Sequence, residues 1–371
     1  MYQALLTRRY LTSKVMPLLS ALAIALSTAM VLTVWSVMGG FLVLLLESGR
    51  TIIGDVAIDV APPRGIPYYE ELIDRLEAHP AVAAATPVIE TPGMVAFSAD
   101  QRRLVQVVGI EPESFDAVTG YDALLHWRPL DEPIEGDDQR VDIRLKDSWQ
   151  PVMSRALESG RSLREINPTT GAPVPAAVPG IELSRANRRL PSGVYEPTWM
   201  LGLEEALSLS VLPLSQKGSA IDVDTRTLPI ANEFRTGLYE TDANTVFVPI
   251  ELLQKMMNLT AGRRVVESQQ FNEVIVDPDT GEERFAPLRF EREIPAKVTA
   301  VRIKAADGVT PDALDETAEE IYYAHHLDHP DDVFAPDGEA ETARWRDLFV
   351  YTWEEKPGLR TIISAVKKET G

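Results

Sequence analysis

Residues 15–46 read VMPLLSALAIALSTAMVLTVWSVMGGFLVLLL, an apolar run without one charged side chain. As a helix rising 1.5 Å per residue it would reach about 48 Å, more than the roughly 30 Å hydrocarbon core of a bilayer. A cleaved leader has an apolar core of about 7–15 residues closed by small residues. This run is about twice that length, and it closes on Phe41-Leu42-Val43-Leu44-Leu45-Leu46. It reads as one membrane span. Arg8, Arg9 and Lys14 precede it and only Arg50 follows closely, so the positive-inside tendency leaves the N-terminus in the cytoplasm.

The charge balance agrees. The first 46 residues contain no Asp or Glu and carry +3; with −20 for the whole chain, the remainder carries −23. So acidic a domain disfavours nucleic acid as a partner, because phosphate contacts need basic patches. There are no cysteines, which excludes disulfides, thiol nucleophiles and zinc–thiolate sites. An outer portion of this length without cross-links needs a real core, which 45% apolar composition supplies.

Within the first segment, residues 1–14 place Tyr2, Leu5, Leu6, Tyr10 and Leu11 roughly on one helix side, as an interfacial piece would. Pro17 sits at the start of the apolar run, where a missing N–H is tolerated. Gly39-Gly40 near the outer end suits close helix packing or a bend.

Beyond Glu47 the patterns are those of a soluble α+β domain. Alternation predicts a strand at 55–60, helical spacing of Tyr69, Leu72, Ile73 and Leu76 predicts a helix over 68–78, and strands follow at 82–89 and 104–110. Residues 111–180 are rich in Pro, Gly and acids, with solvated loops at 131–138. A short helix is expected from Glu182 and another over 201–209, then strands at 220–223, 227–230 and 245–249 and a helix over 251–259. The end returns to the first style, with a strand in 294–304, a helix over 311–327 and a strand at 348–351. The 47–120 and 290–352 segments are therefore expected to form one lobe, with a β-rich lobe, 121–289, inserted into it.

Chemistry is sparsely signalled. His325, His326, Asp328 and His329 are the densest set of metal-ligand types, and His325 and His329 share a helix face. The following His329-Pro330 and Asp331-Asp332 favour a solvated helix end, and no metal site is assigned. Asp55 and Asp59 share a strand face but lack a supporting partner. Neither a Gly-x-Ser-x-Gly elbow nor a phosphate-binding Gly-x-x-x-x-Gly-Lys-Ser/Thr loop occurs, so no catalytic or cofactor-binding residue is expected. In the segment Phe234 to Asp242, Gly237 is placed to supply positive φ and Asp242 to accept from a backbone N–H.

Three pieces together resemble a known family. Arg9-Tyr10-Leu11 before the span, with Trp35-Ser36-Val37-Met38-Gly39-Gly40-Phe41 at its outer end, resembles the opening of bacterial lipoprotein-releasing ABC permeases. That wider family also contains macrolide-efflux and cell-division permeases. Phe234 to Asp242, with Tyr239 inside it, followed by Val246 to Pro249, is similar to the family's periplasmic domain. Trp353 to Glu369 is similar to the lead-in to its second transmembrane helix.

The resemblance implies a bacterial inner-membrane permease subunit with its large domain periplasmic and a split βαββ lobe. It implies no chemistry of its own, ATP bound by a separate cytoplasmic ABC ATPase, and a second permease subunit in the lipid membrane. Lipoprotein release, small-molecule efflux and control of a cell-wall hydrolase all use this architecture; lipoprotein release matches best, with a lipoprotein or another periplasmic partner as cargo or contact. The family has four spans and this chain shows one. It is thus a piece, a split-gene product or a one-span relative. Two other readings stay open: a one-span binding or scaffold protein without an ATPase, and a membrane-anchored enzyme using His325 and His329.

Overall fold

A computed structural model describes residues 15–60, 65–98, 101–132, 149–184, 187–197, 202–213, 222–276, 283–329 and 348–355. The apolar run forms helix α1, Val15–Ile53. The helix continues seven residues past the run read from the sequence, through Glu47 and Arg50. At 1.5 Å per residue its 39 residues reach about 58 Å. Leu19–Val37 is long and apolar enough to cross a membrane, and its side chains are exposed throughout.

Residues 50–356 form a unit of their own. The alternation at the start becomes β1 (Val56–Val60). Helix α2 (Tyr69–Glu77) follows and buries Leu72 and Leu76, the i, i+4 pair that the spacing predicts. β2 (Val82–Ser98) and β3 (Gln101–Ile110) form a long antiparallel pair, completing a β-α-β-β order. Further on come α3 (Pro112–Thr119), α4 (Tyr121–Leu124), α5 (Gln150–Ser162) and β4 (Val178–Pro179). Then β5 (Gly202–Val211), β6 (Asp224–Ile230), α6 (Tyr239–Asn244), β7 (Thr245–Pro249) and α7 (Ile250–Met256) complete the middle of the chain. The final stretch has the hairpin β8 (Gly262–Val276) and β9 (Glu283–Ile294), then β10 (Ala300–Ala305), α8 (Pro311–Asp328) and β11 (Leu348–Thr352).

One nine-stranded sheet organises the unit, in the order β11-β1-β10-β2-β3-β7-β4. The first half of β2 pairs with β10 and its second half with β5, which carries β6. The pairs are antiparallel except β3–β7, which is parallel. β1 thus lies between two strands from the far end of the sequence, opposite Ala300–Ile303 on one side and Leu348–Thr352 on the other. The parallel β3–β7 pair ties residues 101–110 to the middle of the chain.

Alternation gives the sheet two covered faces. Val56, Ile58, Val107, Val246, Val301 and Ile303 share a cluster with Leu72 and Leu76 of α2 and Leu314 and Ala318 of α8. Val88, Val108, Ile110 and Ala300 point into the other cluster, built on Phe115, Tyr121, Phe234 and Phe247. The four rings meet at centroid distances of 4.7–6.0 Å, tilted and edge-on as ring quadrupoles favour. α8 starts where Thr310 accepts from the Ala313 N–H and Pro311 occupies the first turn, so local chemistry fixes that end.

Several expectations are corrected. Residues 202–211 are a strand rather than a helix, and a turn replaces the short helix expected from Glu182. The acid-rich 111–180 segment contains α3, α4 and α5. Residues 133–148, including most of the acidic loop, and 220–221 lie outside the described residues.

Candidate functional site

Arg9 and Tyr10 lie outside the described residues. Pro17, Gly39, Gly40 and Phe41 all fall within α1. Gly39 and Gly40 are exposed, and a Cβ on either would meet nothing within 4 Å.

The Phe234–Asp242 segment is built on one carboxylate. Asp242 Oδ1 accepts from the Thr236 N–H and Oγ1–H, each at 2.8 Å, and Oδ2 accepts from the Gly237 N–H at 3.2 Å. Gly237 has φ 87°, a conformation that a Cβ penalises. Burial raises the Asp242 pKa, opposed by its bonds to Thr236. The Asp242 carbonyl receives the N–H groups of Glu182 and Leu183, both at 3.1 Å. Tyr239 stands exposed at the start of α6, and buried Pro249 ends β7 where α7 begins.

Nearby, Glu233 is fully buried. Its carboxylate accepts from Trp127 Nε1–H at 2.7 Å and Asn187 Nδ2–H at 2.8 Å. Burial pushes its pKa up to about 7. Asn232 beside it spans Trp127 N, Trp127 O and Ala156 O at 2.9–3.0 Å. Nothing local in the sequence marks this pair, because the partners lie far away along the chain.

The two carboxylates of the first strand region have structural partners. Asp55 Oδ2 accepts from the Ala305 N–H at 2.8 Å. Asp59 binds Arg302 and receives the Tyr351 hydroxyl, and Arg302 also binds Glu90.

The histidine cluster departs most from its sequence reading. His325 is buried, at 2% exposure, rather than solvated, because α8 packs against α2 and β1. Its Nε2 meets the Pro67 carbonyl at 3.2 Å, and its Nδ1 has no hydrogen-bond partner among the described residues. His329 Nε2 lies 2.7 Å from Glu71 Oε2, and its ring stacks on Tyr68 at 4.3 Å. Tyr68 has φ 50°, unusual for a residue with a Cβ. Arg75 pairs with Glu71 Oε1 at 2.6 Å and with Asp328 at 2.7 Å. Glu71, His325 and His329 offer ligand atoms all within 4.8 Å of one another. Asp328 instead faces the guanidinium.

No protein-family model and no curated protein matches the sequence. Among solved structures, the chain is similar to the periplasmic region of MacB from Actinobacillus actinomycetemcomitans. That likeness has 12% identity and a TM-score of 0.37, covering 88% of this chain and 99% of that one. It is also similar to the extracellular domain of the noncanonic ABC-type transporter YknZ from Gram-positive bacteria. Here the identity is 11% and the TM-score 0.33, with 73% of this chain and 94% of that one covered.

Proposed function

We propose that the chain supplies the first membrane span and the extracytoplasmic domain of an ABC transporter permease subunit, and does no chemistry of its own. One observation carries the reading. The strand that brings the chain into the domain, β1, pairs with the strand that leads it out, β11, and Val56 lies opposite Thr352. A domain carried between two spans has to take up and return its chain at one end, and this topology does so. The apolar α1, with its basic N-terminal flank, supports a cytoplasmic N-terminus and an outward-facing domain. In this reading 121–289 is an inserted portion, 353–371 leads toward a second span, and a separate cytoplasmic ATPase supplies the energy.

The finer assignment is lipoprotein release at a bacterial inner membrane. It rests on the resemblance of Arg9-Tyr10-Leu11 and Trp35 to Phe41 to that branch of the family. Affinity purification from gently solubilised native membranes tests the general reading: a stoichiometric cytoplasmic ABC ATPase, with a second permease subunit, is expected. A clean monomer free of any ATPase would point to a one-span binding protein. A photocrosslinker at Phe41 tests the finer one, by capture of an acylated protein during turnover.

A further inference from the structure

We propose that Glu71, His325 and His329 form a three-donor site for a zinc-like divalent cation, which pins the end of α8 to the start of α2. His325 and His329 stand one turn apart at the end of α8, Glu71 comes from α2 far upstream, and the fold brings their ligand atoms within 4.8 Å of one another. Two imidazoles and one carboxylate suit zinc, and the absence of cysteine removes the softer alternatives.

The decisive observation is His325. The ring is almost wholly buried, one nitrogen is taken up by the Pro67 carbonyl, and Nδ1 has no partner among the described residues. A buried polar atom left unpaired is costly. A ring N–H directed at a backbone carbonyl also fixes the tautomer that leaves the other nitrogen's lone pair free. That is the arrangement that orients metal-binding histidines.

The hydrogen bond between His329 and Glu71 is the competing use of the same atoms. At 2.7 Å it is shorter than the roughly 3.3 Å between ligands around a tetrahedral zinc with bonds of about 2.0–2.1 Å. Binding therefore spreads this pair by about half an ångström while the His325 ring draws in. Arg75 opposes a cation here, but Asp328 and Glu71 already face its charge. Three protein donors leave a fourth position for water. Such a clip would join the α2–Tyr68 corner to the last turn of α8, and so respond to metal outside the cell.

The test uses the full chain in detergent, purified through a tag without histidine, with zinc chloride as the probe in competition with a chromophoric chelator. One equivalent of zinc is expected, with no comparable binding of magnesium. Cobalt should give the visible absorption of a four-coordinate site. His329→Ala and Glu71→Gln alter side chains that are 23% and 45% exposed, and each should weaken zinc binding at least ~10–100-fold, the range seen even for outer-shell partners. His79→Ala, outside the cluster, should leave it unchanged. No stoichiometric zinc in the folded wild-type chain would overturn the proposal. So would zinc that binds equally well to His329→Ala and Glu71→Gln, since it would then sit elsewhere on the surface.

Discussion

Arg302 Nη1 donates to Asp59 Oδ1 at 2.6 Å, across the β10–β1 pair, from a side chain only 1% exposed. Its other arm binds Glu90 on β2, so one guanidinium joins three neighbouring strands in the middle of the sheet. Burial holds the Tyr351 phenol above its ordinary range, so it remains a donor to Asp59. Removing the cation leaves two carboxylates facing one another with little water. Arg302→Met should cost about 3–5 kcal/mol, at the lower end because Asp59 and Glu90 keep a fifth to a quarter of their exposure. Adding Asp59→Asn and Glu90→Gln should recover more than half of that loss. Thermal unfolding of the three proteins in detergent checks it, and an unaltered midpoint in Arg302→Met would refute the bridging role.

The Glu233 carboxyl gives the domain a pH signature of unusual sign. Its pKa rises from 4.5 to about 7 on burial, so between those values the folded state holds more proton than the unfolded one. The contribution to stability is then greatest at the acid end and is lost as pH climbs through that window. The loss is on the order of 3 kcal/mol. Glu233→Gln keeps an acceptor for Trp127 but cannot ionise. Subtracting its unfolding profile from that of the wild type should leave a decline between pH 4.5 and 7; parallel profiles would remove Glu233 from the account.

Two glycines beside Asp242, on different segments, should respond differently to alanine. A Cβ on Gly180 would lie 2.1 Å from the Asp242 carbonyl oxygen, which is backbone and cannot swing away. A Cβ on Gly237 meets open space but is held at φ 87°. Gly180→Ala should therefore destabilise by about 3 kcal/mol or prevent folding, and Gly237→Ala by about 1–2 kcal/mol. Equal effects in urea unfolding would mean that the β4–α6 approach is looser than its geometry.

Gly39 and Gly40 offer the opposite contrast. Since a Cβ on either would meet nothing within 4 Å among the described residues, Gly39→Leu with Gly40→Leu should leave the unfolding of the outer domain unchanged. If these glycines let helices approach closely, the same double variant should reduce crosslinking between membrane subunits several-fold. Undiminished crosslinking would leave them without an assembly role.

Much of the fold was legible because burial and period coincide. Val56, Ile58 and Val60 alternate with Ala57 and Asp59, and Leu72 and Leu76 repeat at helical spacing, so each segment announced its own geometry. Residues 201–209 misled because Leu201, Leu203, Glu204, Glu205 and Ala206 are good helix formers. Beyond them Leu207, Leu209 and Val211 are buried with Ser208 and Ser210 between, a period of two that pairing with β2 and β6 enforces. His325 misled for a different reason: the Pro67 carbonyl that meets it is 258 positions away. Glu71 as a partner of His329 likewise had no local signal, and the carboxylate of Asp242 showed itself because its donors lie within six residues.

The β1–β11 ladder also decides how the domain bears load. Val56 and Thr352 face each other at its end, so the chain enters and leaves the sheet at the same end. Drawing those two points apart would peel the ladder open one rung at a time, which takes far less force than sliding two strands past each other. Moving them together would load no rung and would carry the whole sheet as a rigid lever. The domain is mechanically soft to separation of its roots and stiff to their common tilt.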